Sequence, residues 1–219
     1  MFPLRDVIPS RTTPYITVTL IILNGLAWFY ELALPRDVLP GFLQVYGVVA
    51  ADFSPPTLIS SMFLHGGWMH VIGNMWWLWI FGDNVEDRLG HGRYILFYLL
   101  CGSLAAIGQV VIDPYSTLPM IGASGAIAGV MGAYIVLYPH SRVLTLVPIF
   151  FYIEIIELPA ILLLGVWFSM QLFSAGAVAV TASTGGGGVA FMAHVAGFVV
   201  GMIAVFVLRK RDRPDLWAA

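Results

Sequence analysis

Four polar side chains stand in stretches of the chain that are otherwise apolar, and their types are those of acyl-transfer chemistry. Ser124 lies in Gly122-Ala123-Ser124-Gly125, where glycines on both sides leave the hydroxyl uncrowded and let a polypeptide backbone approach closely. A serine at a helix start also stands beside backbone N–H groups that have no intrahelical partner, and such donors can hold an oxyanion. His194 follows Ala193 near the start of another apolar run. A serine hydroxyl is a weak nucleophile until a base of this type stands beside it. His70 and Asn74 are spaced i, i+4, on one helix face, with donors that can stabilise developing negative charge. Each motif alone has an ordinary structural reading, Ser124 as a helix N-cap beside a packing face and His194 as a hydrogen-bonded interior histidine. His65, about one turn before His70, reads as a structural or interfacial hydrogen-bonding group.

The rest of the composition says what surrounds these groups. Of 219 residues, 59% are hydrophobic and 10% charged, with a mean hydropathy of +0.89. A soluble domain carries roughly a quarter charged residues, so this chain has too little polar surface to be one. Its hydrophobicity excludes disorder as well. Cys101 is the single cysteine, which removes internal disulfides and cysteine-based metal sites. The net charge of -2, without a basic region, offers nucleic acid no footprint. A metal site from His65, His70 and His194 is poorly supported: there is no H-E-x-x-H, and no carboxylate lies near them on the outer side of the same helices. No metal or other cofactor is expected. Intramembrane aspartyl chemistry would need paired carboxylates within the helices, and they are missing from the sequence.

The elements that must position these side chains are membrane helices. A bilayer core of about 30 Å takes roughly 20 apolar residues. About six segments qualify: residues 15–34, 57–81, 94–112, 124–138, a fifth within 155–173, and 189–208. Residues 1–14 form a polar leader, 209–219 a basic tail, and 1–219 a single membrane domain. The first segment is too long, and lacks the small-residue site, for a cleaved signal peptide. Residues 143–152 either lengthen the fifth helix or lie at the interface, and Pro148 and Pro159 argue against one continuous helix. With the N-terminus inside, nine Lys and Arg (Arg5, Arg11, Arg88, Arg93, Arg142, Arg209, Lys210, Arg211, Arg213) fall inside and only Arg36 outside. Both termini are then cytoplasmic, and the second, fourth and sixth helices start at the outer face.

Ser124 and His194 therefore share a depth. Gly122, Gly125, Gly129 and Gly132 line one face of the fourth helix, and Gly197 and Gly201 give the sixth a matching surface for close packing. Gly185–Gly188 is expected to be a mobile outer connection. Trp68, Trp76, Trp77 and Trp79 read as interfacial or buried apolar mass. The Gly82–Gly90 stretch reads as an inner connection in which Glu86 and Arg88 tie helix ends together. His91 and His140 are expected in solvent, and Asp113 and Glu31 near outer helix ends where charge is cheap.

Taken in order, His70-x-x-x-Asn74, Gly122-x-Ser124-Gly125 and Ala193-His194-x-x-Gly197-x-x-x-Gly201 resemble the rhomboid intramembrane serine proteases. The Gly82…Glu86…Arg88-Leu89-Gly90 stretch is similar to theirs too. The resemblance implies an all-α bundle of six transmembrane helices with both termini cytoplasmic, hydrolysing peptide bonds of transmembrane protein substrates near the outer membrane face. It implies a Ser–His dyad, with Ser124 the nucleophile and His194 the base, and an oxyanion site of His70, Asn74 and backbone around Gly122 and Ala123. No cofactor is implied, and the partners are the lipid bilayer and the substrate proteins. Ala128 departs from the pattern, since many rhomboids carry there a tyrosine that stacks on the catalytic histidine; another aromatic could take its place. A catalytically inactive, client-binding relative is the alternative, but such relatives typically lose the serine or histidine. A transporter or channel fits less well, because the fourth and sixth helices are apolar beyond the proposed site. The short leader fits a prokaryotic plasma membrane.

Overall fold

The computed structural model describes residues 2–149, 152–181 and 191–210. Gly185–Gly188, Arg211 and Arg213 lie outside the described residues. The chain is mostly helical: α1 (Tyr15–Ala33), α2 (Leu39–Tyr46), α3 (Thr57–Ser60), α4 (Trp68–Leu89), α5 (His91–Ile112), α6 (Ser124–Leu137), α7 (Ala160–Thr181) and α8 (Phe191–Leu208). Three of these, α1, α5 and α8, are long and apolar enough to cross a membrane, and Ser124–Leu137 and Ala160–Phe173 are shorter apolar helices. Large apolar side chains such as Leu26, Phe29, Leu96, Val111, Ile203 and Val207 face outward, as a lipid solvent allows.

The second apolar segment is not one helix from residue 57. It forms α3 and a 3-10 turn (Ser61–Phe63), then breaks before α4. Two adjacent glycines, Gly66 and Gly67, cause the break: neither favours helix, and Gly67 is extended where it caps α4. At the other end α4 runs past residue 81 through the expected connection to Leu89. It stops at Gly90, whose φ of 80° is left-handed and open to glycine. His65 thus sits in the linker before α4 rather than on the helix.

The inner connections are also more ordered than their polarity suggests. The carboxylate of Glu86, fully buried, accepts from the backbone N–H groups of Ile16 (2.9 Å) and Thr17 (2.8 Å) and from Thr17 Oγ1 (2.7 Å). It therefore satisfies two of the free donors at the start of α1, where the helix dipole favours an anion. His91 does not stand free in solvent, since its Nδ1 lies 2.6 Å from Glu86 Oε1.

A second correction concerns residues 142–159. Instead of lengthening a helix, Arg142–Ile149 (β2) and Tyr152–Pro159 (β3) pair antiparallel, and Phe2–Asp6 (β1), inside the expected leader, adds a third strand in the order β1-β2-β3. The segment is rich in β-branched residues. Alternation buries Ser141, Val143 and Thr145 while Arg142 points out. Pro159 ends β3 and α7 starts directly after it.

The core gathers around α6. Ala126 to Tyr134 are all buried, against Leu78, Phe81 and Val85 of α4 and Phe97, Tyr98 and Cys101 of α5. Small residues let neighbours approach to backbone contact. A Cβ on Gly197 would fall on the Gly125 carbonyl and one on Gly201 on that of Gly129, so the glycine faces of α6 and α8 do meet. A Cβ on Gly129 would also lie 2.5 Å from Cys101 Cβ.

Candidate active site

The meeting of α6 and α8 brings their polar residues together. Ser124 is the first residue of α6, and Ala123, not Ser124, holds the N-cap position, without a side-chain cap. The hydroxyl is thus left for another partner. Ser124 Oγ lies 2.7 Å from His194 Nε2, and His194 is only 9% exposed. The other ring nitrogen, Nδ1, lies 2.8 Å from Gln171 Oε1 on α7. An amide oxygen only accepts, so this contact keeps the proton on Nδ1 and leaves the Nε2 lone pair for the serine hydroxyl. Trp167, one turn before Gln171, lies against the imidazole with centroids 5.9 Å apart, and Phe191 meets it edge-on at 6.5 Å.

Ala128 is fully buried and offers no ring, so aromatic support for His194 comes from Trp167 of α7. Neither Trp167 nor Gln171 was singled out from the sequence. A signal existed: Gln171 is an amide within a nearly unbroken apolar run, and a polar group in a membrane helix needs a partner.

The α4 residues approach the same place from the other side. Gly122 has a φ of 121°, and a Cβ there would lie 2.7 Å from His70 Nε2 and 3.6 Å from Asn74 Nδ2. Both side chains therefore reach the backbone just before Ser124. Gly66 N–H donates to His70 Nδ1 at 3.3 Å, which turns Nε2–H toward Gly122. The Gly122 N–H donates to the Ser61 carbonyl at 2.8 Å, holding this turn in place.

Behind His70 and Asn74 is a buried polar group that spacing did not reveal. Asn74 Nδ2 lies 3.0 Å from His65 Nε2, and the His65 backbone N–H donates to both carboxylate oxygens of Glu31 at 3.2 Å. Glu31 is 2% exposed, so its charge does not lie cheaply at a wet helix end as expected. Its carboxylate faces the linker that carries His65, and the His65 and His70 rings pack edge to face at 5.0 Å. His140, in contrast, is exposed as expected.

Comparisons with known proteins identify the family. The family model for the Rhomboid domain matches residues 53–211. The chain is 33% identical over 112 residues to Rhomboid protein 1, mitochondrial, of Saccharomyces cerevisiae, covering 48% of this chain and 32% of that protein. It is 39% identical over 85 residues to Rhomboid protease GluP of Bacillus subtilis, covering 39% and 16%. With Rhomboid-like protein 11, chloroplastic, of Arabidopsis thaliana, identity is 29% over 198 residues, covering 85% and 66%. The matched region is thus under a third of the yeast protein and a sixth of GluP. The Rhomboid match takes in most of the chain, with α4, α6, α7 and α8 and the residues Ser124, His194, His70, Asn74 and Gln171, and on that ground the chain belongs to the rhomboid family of membrane proteins.

Proposed function

We propose that the chain is an intramembrane serine protease that hydrolyses peptide bonds of transmembrane substrate proteins near the outer membrane face. The observation that carries this reading is the 2.7 Å contact between Ser124 Oγ and His194 Nε2, with His70 and Asn74 converging on the backbone beside it. His194 Nε2 takes the Ser124 proton as Oγ attacks the peptide carbonyl. The oxyanion is held by His70 Nε2–H, the Asn74 amide and the backbone donors of Ala123 and Ser124, the Gly122 N–H being taken by the Ser61 carbonyl. His194 then gives its proton to the leaving amine, and water hydrolyses the acyl-enzyme.

In this reading the protein spans the bilayer six times, the spans being α1, α4, α5, α6, α7 and α8, with both termini cytoplasmic. The distribution of Lys and Arg supports that orientation. A reporter fused at Arg36 that reads out as cytoplasmic would overturn it. The likeness to a Bacillus subtilis relative favours a prokaryotic plasma membrane. Fractionation that puts the native protein in any other membrane would count against this placement. A helical substrate hides its peptide bonds in its own hydrogen bonds, so substrates with Gly or Pro near the outer end of the span are preferred. Water reaches the serine from the outer face, and α7 with the Gly185–Gly188 connection controls lateral access. Tethering that connection by a crosslink slows cleavage; an unaltered rate would argue against gating.

The decisive comparison is cleavage of a single-pass test substrate in liposomes by the intact chain, Ser124→Ala and His194→Ala. Cleavage by the intact chain alone supports the reading; equal cleavage by Ser124→Ala refutes it. Substrates differing only in helix-breaking residues test the preference, which fails if all are cut alike.

A further inference from the structure

Gln171 is half-buried on α7, within a stripe at helical spacing that faces α8: Leu164, Trp167, Phe168 and Gln171. Phe168 stacks on Phe198 with centroids 4.6 Å apart, and Trp167 lies 6.2 Å from the same ring. On the other side of the helix, Ile161, Leu162, Met170 and Phe173 are exposed. An amide in this apolar setting costs free energy unless it is bonded, and the partner recorded for its oxygen is His194 Nδ1 at 2.8 Å.

We propose that Gln171 is the positioning residue for the base, holding His194 as the Nδ1–H tautomer and making the docking of α7 part of the assembly of the dyad. The inference rests on the protease reading above. An imidazole with no acceptor at Nδ1 is free to carry its proton on Nε2, where it has no lone pair to offer Ser124. With Gln171 in place, Nε2 gains the serine proton, Nδ1 keeps its own, and the imidazolium donates to an amide oxygen already aligned. That bond strengthens as charge develops, so it favours the transition state over the ground state. Trp167, one turn earlier on the same helix, restrains the ring plane. Because both contacts come from α7, moving that helix off α8 releases the imidazole.

The test compares the full chain in liposomes with Gln171→Leu and Gln171→Glu, using a cleavable single-pass substrate. It is joined by 15N NMR of the histidine side chains in detergent. For Gln171→Leu the expected result is a fall in kcat of about tenfold, the worth of one neutral hydrogen bond, with KM unchanged. Gln171→Glu restores the acceptor, keeps kcat near the intact chain's, and moves the acid limb of the pH profile up by about one unit, because a carboxylate at Nδ1 favours the imidazolium. His70 on α4, the titratable group that bears on His194 electrostatically, is the same in all three. The 15N spectrum of the intact chain is expected to show the His194 proton on Nδ1. The inference is overturned if Gln171→Leu keeps the intact chain's kcat, or if the proton is found on Nε2. Should Gln171→Leu fail to fold, the acid limb of Gln171→Glu decides, and an unmoved limb overturns the inference. An inactive intact chain, or an active Ser124→Ala, would instead bring down the protease reading and this inference with it.

Discussion

A methyl group at Gly122 would stand 2.7 Å from His70 Nε2, on a backbone whose φ of 121° is strained for any residue but glycine. Glycine takes this conformation freely, whereas a side chain there costs about 1–3 kcal/mol. The turn it allows presents Ser124 at the head of α6 with donors from α4 beside it. Gly122→Ala is therefore expected to lower kcat/KM at least tenfold by displacing His70, with thermal unfolding in detergent showing whether the fold survives. Retention of full activity would remove Gly122 and His70 from the oxyanion site. The serine, the two histidines and Asn74 could be read from the sequence because each is an expensive group in an apolar run. Gln171 carries the same signal of an expensive group in an apolar run, but for it and for Glu31 spacing along one helix carries no information about which side chain meets it across an interface. His91 is 44% exposed at its side chain, as its polarity suggests, but spacing did not reveal that it also meets Glu86 at 2.6 Å.

Among the elements, the packing of α6 on α8 is the closest and the most sensitive. Gly201→Ala would gain about 1 kcal/mol in helix propensity. The added Cβ would collide with Gly129 backbone, which cannot swing aside as a flexible side chain does. Overpacking costs of about 1–3 kcal/mol are therefore expected to win, so Gly201→Ala lowers the unfolding temperature and weakens cleavage by separating Ser124 from His194. A variant as stable as the parent would mean that the helices do not touch there. The helices themselves followed from hydropathy, and the glycine faces from their spacing. Residues 142–159 did not, because short apolar runs rich in Val and Ile suit a strand and a buried helix equally well, and β1, the third strand, lies more than a hundred residues from β2. The break before α4 depended on two adjacent glycines, a weaker signal than the apolar run around them.

For the whole molecule, the three-stranded sheet is fastened to the helices at the end of α6 away from Ser124. Asp6, in the last position of β1, accepts from Asn84 Nδ2 at 2.9 Å and from Tyr134 Oη at 2.7 Å. Burial raises its pKa from 3.8 to about 6, against the opposing effect of the Tyr134 hydrogen bond. A raised carboxyl pKa means that the fold prefers the protonated acid. The resulting stability is fully present below the ordinary value of 3.8 and is lost as pH rises through about 6. The unfolding temperature of the intact chain should therefore fall between pH 5 and pH 7 by more than that of Asp6→Asn. Parallel curves would show that Asp6 is not desolvated at this junction. Arg11 and Thr12 donate backbone N–H groups to Asp87 nearby, so the chain before α1 is held to the end of α4 as well.

The central claim is that Ser124 is a nucleophile activated by His194, and covalent capture tests it most directly. The chain in detergent micelles is treated with a fluorophosphonate and the modified residue is located by mass spectrometry. The account predicts one adduct, on Ser124, absent from Ser124→Ala and from a folded His194→Ala. An adduct at another serine with Ser124 untouched, or equal labelling of His194→Ala, would contradict it.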